Sequence, residues 1–101
     1  MAQDVVSLVF PGDSRDLLLR YQDGVRRFRD SGGPAPEHCL VAHSDEGLLV
    51  VMVWGEGIGH DVLAQHMIGL LGELGLPMPR PVHAELATAS WDELTAGALS
   101  G

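Results

Sequence analysis

Leu48-Leu49-Val50-Val51-Met52-Val53-Trp54 is an unbroken apolar run set between two hydrophilic turns, Asp45-Glu46-Gly47 and Gly55-Glu56-Gly57. A strand sends alternate side chains to opposite faces, so a strand that is apolar at every position needs cover on both. The run is far shorter than the roughly 20 residues a helix needs to cross a bilayer. It therefore reads as the central strand of a sheet sandwiched between two layers, and the sequence on either side decides what those layers are.

Upstream, Asp4 to Phe10 is a first strand, with Val6, Leu8 and Phe10 on one face and Val5, Ser7 and Val9 on the other. Pro11-Gly12 ends it, and Asp13, with Asp16 three residues on, caps a helix whose first turn favours acids. Leu17, Tyr21, Val25 and Phe28 form the buried stripe of that helix, with the arginines opposite. Ser31-Gly32-Gly33-Pro34-Ala35-Pro36 stops it. Glu37 to Ser44 is a second strand, hairpinned to the central one, and its mixed composition suits a sheet edge.

Downstream, Gly57 to Gly59 leads into a second helix with Leu63, Met67, Leu70 and Leu74 as its buried stripe and Gly75-Leu76-Pro77 as its stop. Gly69 and Gly72 inside this helix either mark a side where neighbouring backbone approaches closely or are simply tolerated there. Arg80 to Ala89 supplies a fourth strand, with Val82, Ala84 and Leu86 opposed to His83, Glu85 and Ala87. Trp91 and small residues form a C-terminal tail over residues 90–101.

The order βαββαβ predicts one α+β domain over residues 1–101: a ferredoxin-like antiparallel four-stranded sheet in the order 4-1-3-2 with two helices on one face. Helices on one side leave the other face of the two central strands bare. A second copy is the expected cover, which makes the protein a homodimer.

The length of 101 residues and 46% hydrophobic content fit a single small core. Fourteen acids against six arginines give a net charge of −8, which repels phosphate and argues against general nucleic-acid or anionic-membrane binding. Residues 14–30 reverse the balance, with five arginines against three aspartates, the pattern of a solvated helix face laced with ion pairs. Met1-Ala2-Gln3-Asp4 lacks a basic leader, so neither signal peptide nor anchor is expected and the location is cytoplasmic. Cys39 is the one cysteine, which excludes an internal disulfide and a cysteine-rich zinc site. Without lysine there is no Schiff-base chemistry. No histidine pair has i, i+4 or alternate-strand spacing, no serine sits in a nucleophile elbow, and Gly55-Glu56-Gly57-Ile58-Gly59 lacks the lysine of a phosphate loop. Neither a metal nor a cofactor is expected.

The residues left for chemistry are few. His66, three after Leu63 and four before Leu70, lies beside the buried stripe and could aim a ring nitrogen into a pocket; the plainer reading is a hydrogen-bonded core histidine. Trp54 at the end of the central strand and Tyr21 on the inner stripe of the first helix could line the same pocket or simply pack. Arg20 adjoins Tyr21 and could bind a carboxylate or an enolate, or remain solvated.

The strand order, the Pro34-Ala35-Pro36 loop, and above all Val50 to Trp54 leading to Leu70-Leu71-Gly72-Glu73-Leu74-Gly75-Leu76-Pro77 resemble the dimeric α+β barrel superfamily, and within it small proteins related to antibiotic biosynthesis monooxygenases. The resemblance implies two sheets packed into a barrel, with a pocket between sheet and helices in each subunit. It further implies a cofactor-free, monooxygenase-like enzyme acting on a small aromatic or polyketide-like molecule, with His66 as candidate catalytic residue and Trp54, Tyr21 and Arg20 lining the pocket. Trp54 and His66 are twelve apart, a looser spacing than the superfamily's usual pattern, and the asparagine used by heme-degrading and quinone-forming relatives has no counterpart here. The alternative is a non-catalytic dimeric module that binds a small molecule or a protein.

Overall fold

A computed structural model describes residues 3–55, 59–88 and 90–96. Positions 56–58 of the glycine-rich turn, Ala89 of the expected fourth strand and the tail from residue 97 lie outside these described residues. Seven elements follow in order: β1 (Asp4–Pro11), α1 (Ser14–Asp30), β2 (His38–His43), β3 (Gly47–Trp54), α2 (Gly59–Leu74), β4 (Arg80–Glu85) and α3 (Trp91–Thr95). The strands form one antiparallel sheet in the order β2-β3-β1-β4, which is the ferredoxin-like arrangement. No described helix is long and apolar enough to cross a membrane.

The apolar run occupies the centre. Its partner β1 pairs Phe10 with Leu48, Leu8 with Val50 and Val6 with Met52, and antiparallel partners point to the same side of the sheet. Leu48, Val50, Met52, Trp54, Val6 and Phe10 are buried beneath the helices. The opposite face carries Val5, Ser7, Val9, Leu49, Val51 and Val53. At its margins Leu40 of β2 and Val82 of β4 are 70% and 62% exposed. No described element covers this face.

Asp13 caps α1 by accepting from the Arg15 amide at 3.1 Å, and Gly32, at φ +88°, lets the chain turn away after Asp30. The buried stripe of α1 is Leu17, Tyr21, Gly24 and Phe28. Val25 is only partly buried because Gly24 takes the line of contact with α2: a Cβ there would come within 2.8 Å of Met67 and Leu74. The close approach between helices is thus made by Gly24 and not by Gly69 and Gly72, which are exposed with nothing near their missing Cβ atoms. The α2 stripe keeps Leu63, Met67 and Leu74 buried and Leu70 partly so. Arg20–Asp16 and Arg27–Asp23 are i, i+4 ion pairs at 2.8 and 3.1 Å. Exposed pairs of this kind contribute about 0.3–0.5 kcal/mol each.

Strand β4 stops at Glu85, short of the expected Ala89, because β1, its one neighbour among the described residues, begins at Asp4; one further bond, from the Leu86 amide to the Gln3 carbonyl at 2.8 Å, ends the pairing. The tail contains the short helix α3, capped by Ser90, whose Oγ accepts from the Glu93 amide at 3.2 Å. The Ser90-Trp91-Asp92-Glu93 sequence is half of a capping box.

Two glycine substitutions separate helix propensity from backbone necessity. Gly47 sits at φ +148° in the β2–β3 turn, where a Cβ would collide with the Phe10 carbonyl oxygen, so Gly47→Ala should lower unfolding free energy by more than about 2 kcal/mol in a denaturant titration. Gly69→Ala, on an open helix face, should raise it by about 0.5–1 kcal/mol.

Candidate functional site

Between α2 and the helix-facing side of β1, β3 and β4 is a cavity of about 400 Å³. Leu8, Phe10 and Met52 form its floor, and Leu63, Met67 and Leu71 its roof. Met78, Pro79 and Pro81 close the outer wall, where proline is tolerated because β4 is an edge strand. The walls are apolar, and the polar groups gather at the end where α2 begins: His60, Asp61 and His83.

The two imidazoles come from distant parts of the chain. His83 pairs with Val6 in the β1–β4 ladder and so points to the helix side; His60 is in the first turn of α2, directly above. Their ring centroids are 5.1 Å apart at 79°, edge to face. Behind His60 stands Trp54, centroid to centroid 6.2 Å at 68°. Gly59 makes this stacking possible, since a Cβ there would lie 2.7 Å from the Trp54 ring. The Trp54 indole nitrogen is buried with no hydrogen-bond partner among the described residues. Burial, and secondarily the neighbouring His83, pushes the His60 pKa below the usual histidine value, against a smaller opposite pull from Asp61 and Asp4. His60 is therefore an unprotonated base at neutral pH.

Tyr21 enters the cavity from α1. Its ring packs on Phe10 at 5.4 Å and its hydroxyl meets the Met52 sulfur at 4.0 Å, a weak acceptor. Burial, with a smaller contribution from Cys39, raises its pKa above the ordinary phenol value. The group stays a neutral donor, ready to exchange a poor partner for the oxygen of a ligand.

Of the four residues singled out from sequence, Tyr21 alone is among the described residues lining this cavity, and Trp54 stands behind it. His66 lies between the helices: its Nε2 is 3.3 Å from the Gly24 carbonyl oxygen, which requires the Nε2–H tautomer for donation, and its ring packs on Phe28 at 5.1 Å. Arg20 is also occupied, its Nε donating to Asp16 and its Nη1 to the Leu74 carbonyl at 3.0 Å, where it caps the C-terminus of α2. Sequence spacing missed the His60–His83 pair, since the contact depends on the β1–β4 register and on where α2 starts. No described group of three or more His, Cys, Asp or Glu side chains could hold a metal ion.

A second, more open groove of about 950 Å³ runs between α1 and β2, sharing Tyr21, Met52 and Leu63 with the first as a partition.

No protein-family model matches the chain, and no curated protein matches it in sequence. Two solved structures share its fold. A candidate monooxygenase from Shewanella loihica PV-4 is 25% identical, over 88% of this chain and 99% of that one, with a TM-score of 0.57. The monooxygenase ActVA-Orf6 of Streptomyces coelicolor, solved with the ligand nanaomycin D, is 13% identical over 88% of this chain and 90% of that one, with a TM-score of 0.58. The chain has the ferredoxin-like α+β fold of the antibiotic biosynthesis monooxygenase-like proteins, the superfamily its sequence resembles.

Proposed function

We propose that the protein is a homodimeric, cofactor-free monooxygenase-like enzyme acting on a small aromatic or polyketide-like molecule held between α2 and the sheet. The observation that carries this reading is the apolar cavity with the stacked His60 and His83 imidazoles at one end and the Tyr21 phenol on its wall. Its volume of about 400 Å³ falls in the lower part of the ligand-site range. A flat aromatic body fits apolar walls, a phenol or enol proton is within the reach of a base of this kind, and Tyr21 can donate to a carbonyl or to the oxyanion formed. Overall, one molecule of dioxygen converts an activated methylene to a carbonyl: one oxygen atom stays in the product, and the other leaves as water with the two methylene hydrogens. Dioxygen is the oxidant and the substrate anion the electron donor. In this reading His60 takes the proton, His83 holds the His60 ring in place, and His66 serves to join the helices. The Streptomyces protein of the same fold was solved with the small-molecule ligand nanaomycin D, which supports a ligand-binding role for this cavity.

The dimer reading rests on the bare sheet face. Val51 lies at its centre, between Ser7 of β1 and Leu40 of β2. A face this apolar on two adjacent strands is the kind of surface that specific interfaces bury, at about 800 Å² per partner.

Dioxygen uptake with a panel of anthrones and naphthols is expected to fall by about 10²-fold or more in His60→Gln. His66→Gln should leave turnover within a few-fold and cost about 1 kcal/mol of stability. Turnover unaffected by His60→Gln would overturn the assignment, and a Tm raised by nanaomycin D with no oxygen consumed by any substrate would favour a binding module.

Because His60 is held below the usual histidine pKa, the unfolded chain binds more protons below about pH 6.5. Stability should accordingly decline as pH falls through that value toward the lowered pKa and then level, and His60→Gln should remove this part of the Tm-versus-pH profile.

Val51→Glu should convert the dimer to a folded monomer in sedimentation velocity. A wild-type monomer at micromolar concentration would overturn the dimer.

A further inference from the structure

We propose that α3 of one copy docks in the α1–β2 groove of the other, so that each groove is closed by a segment of its partner; this rests on the homodimer proposed above. Helix α3 buries none of its side chains in its own chain, and Trp91 and Leu94 are 74% and 56% exposed. An isolated five-residue helix with a bare tryptophan is not self-supporting in water, where even good helix formers need about 12–15 residues. The groove has the complementary character. Leu18, Val25, Phe28 and Val41 line it together with the exposed Cys39, and Arg26 and Arg29 border it. Both arginines are solvent-exposed; Arg26 reaches Asp23 only at 3.8 Å and Arg29 pairs with adjacent Asp30 at 3.2 Å. Asp92 and Glu93 of α3 are the acids available to meet them, in a chain where positive charge is concentrated on α1.

Geometry makes the partner's groove reachable. When the two bare sheet faces stack about a two-fold axis parallel to the strands, β4 of one copy lies over β2 of the other and runs opposite to it. The C-terminal end of β4 then lies over the N-terminal end of β2, beside Ala35, Pro36 and Cys39, which line the groove. To pass round the β2 edge the arm must cover the sheet-to-sheet spacing of about 10 Å. The five residues 86–90 extend to about 17 Å.

Cys39 is the only cysteine, so it reports on the groove directly. Trp91→Cys and Leu94→Cys variants, oxidised with diamide, should give a covalent dimer on a non-reducing gel, linked through Cys39 of the other subunit, while the wild-type protein gives none. In the unoxidised dimer, Trp91→Ser should raise the rate of Cys39 alkylation severalfold. The proposal is overturned if the link forms within one chain, which would place the arm on its own groove. It is equally overturned if neither variant links and Cys39 alkylation does not change although sedimentation shows an intact dimer. Sedimentation of the wild type as a monomer is a different result, because it removes the dimer itself and this proposal with it.

Discussion

Everything in this molecule follows from pairing β1 with β3, two strands apolar on both faces, at the centre of a four-stranded sheet. One face of the pair is satisfied inside the chain, where Leu48 and Val50 are fully buried beneath α1 and α2. The other face is built from the same kinds of residue but faces outward. Burial at about 25 cal/mol per Å² of apolar surface is the main driving force available to so small a domain, and the chain uses it fully on one side only.

The same shortage of cover places the site. Two helices do not roof four strands: α1 and α2 meet at Gly24, and the edge strands β2 and β4 stay exposed along their length. On the β4 side lies the cavity, and on the β2 side the open groove. In the cavity, the imidazoles and the phenol are held by aromatic stacking, with His60 between Trp54 and His83, and Tyr21 against Phe10. In such a setting a titratable group is biased toward its neutral form, which suits a base and a hydrogen-bond donor operating out of water.

The strands, apart from the end of β4, and the helix limits were legible in the sequence because each rests on local signals: the run from Leu48, the alternation around Val6, the stripe from Leu17, the stops at Gly32 and Gly75; the sheet order followed from the succession βαββαβ. The lining of the candidate site was legible only in part. Tyr21 was found because it lies on a buried stripe with a hydroxyl that needs a partner. His60 and His83 were passed over since their proximity is a tertiary fact, set by the pairing of His83 with Val6 and the close packing of Gly59 on Trp54. The Gly69 and Gly72 spacing misled for a related reason: glycine permits close approach, but which helix face meets a neighbour is decided by packing, and Gly24 on the other helix fills that role. The α3 capping signal at Ser90 and Glu93 was present but short, and no apolar periodicity accompanied it.

Strand β2 ties the remaining features together. It is an edge strand whose six residues are all exposed, and it carries Leu40 and Ala42 toward the bare sheet face and Cys39 and Val41 toward the groove. Edge strands that must stay single are usually protected by charge, proline or a bulge, and His38-Cys39-Leu40-Val41-Ala42-His43 has none of these. Its one flank of unpaired backbone and its two apolar faces are thus three surfaces of a single strand awaiting cover. In the proposed dimer a partner sheet would cover the Leu40 side and the proposed arm, passing round the edge, would cover the flank and the Val41 side, so one assembly would account for all three where a lone subunit accounts for none.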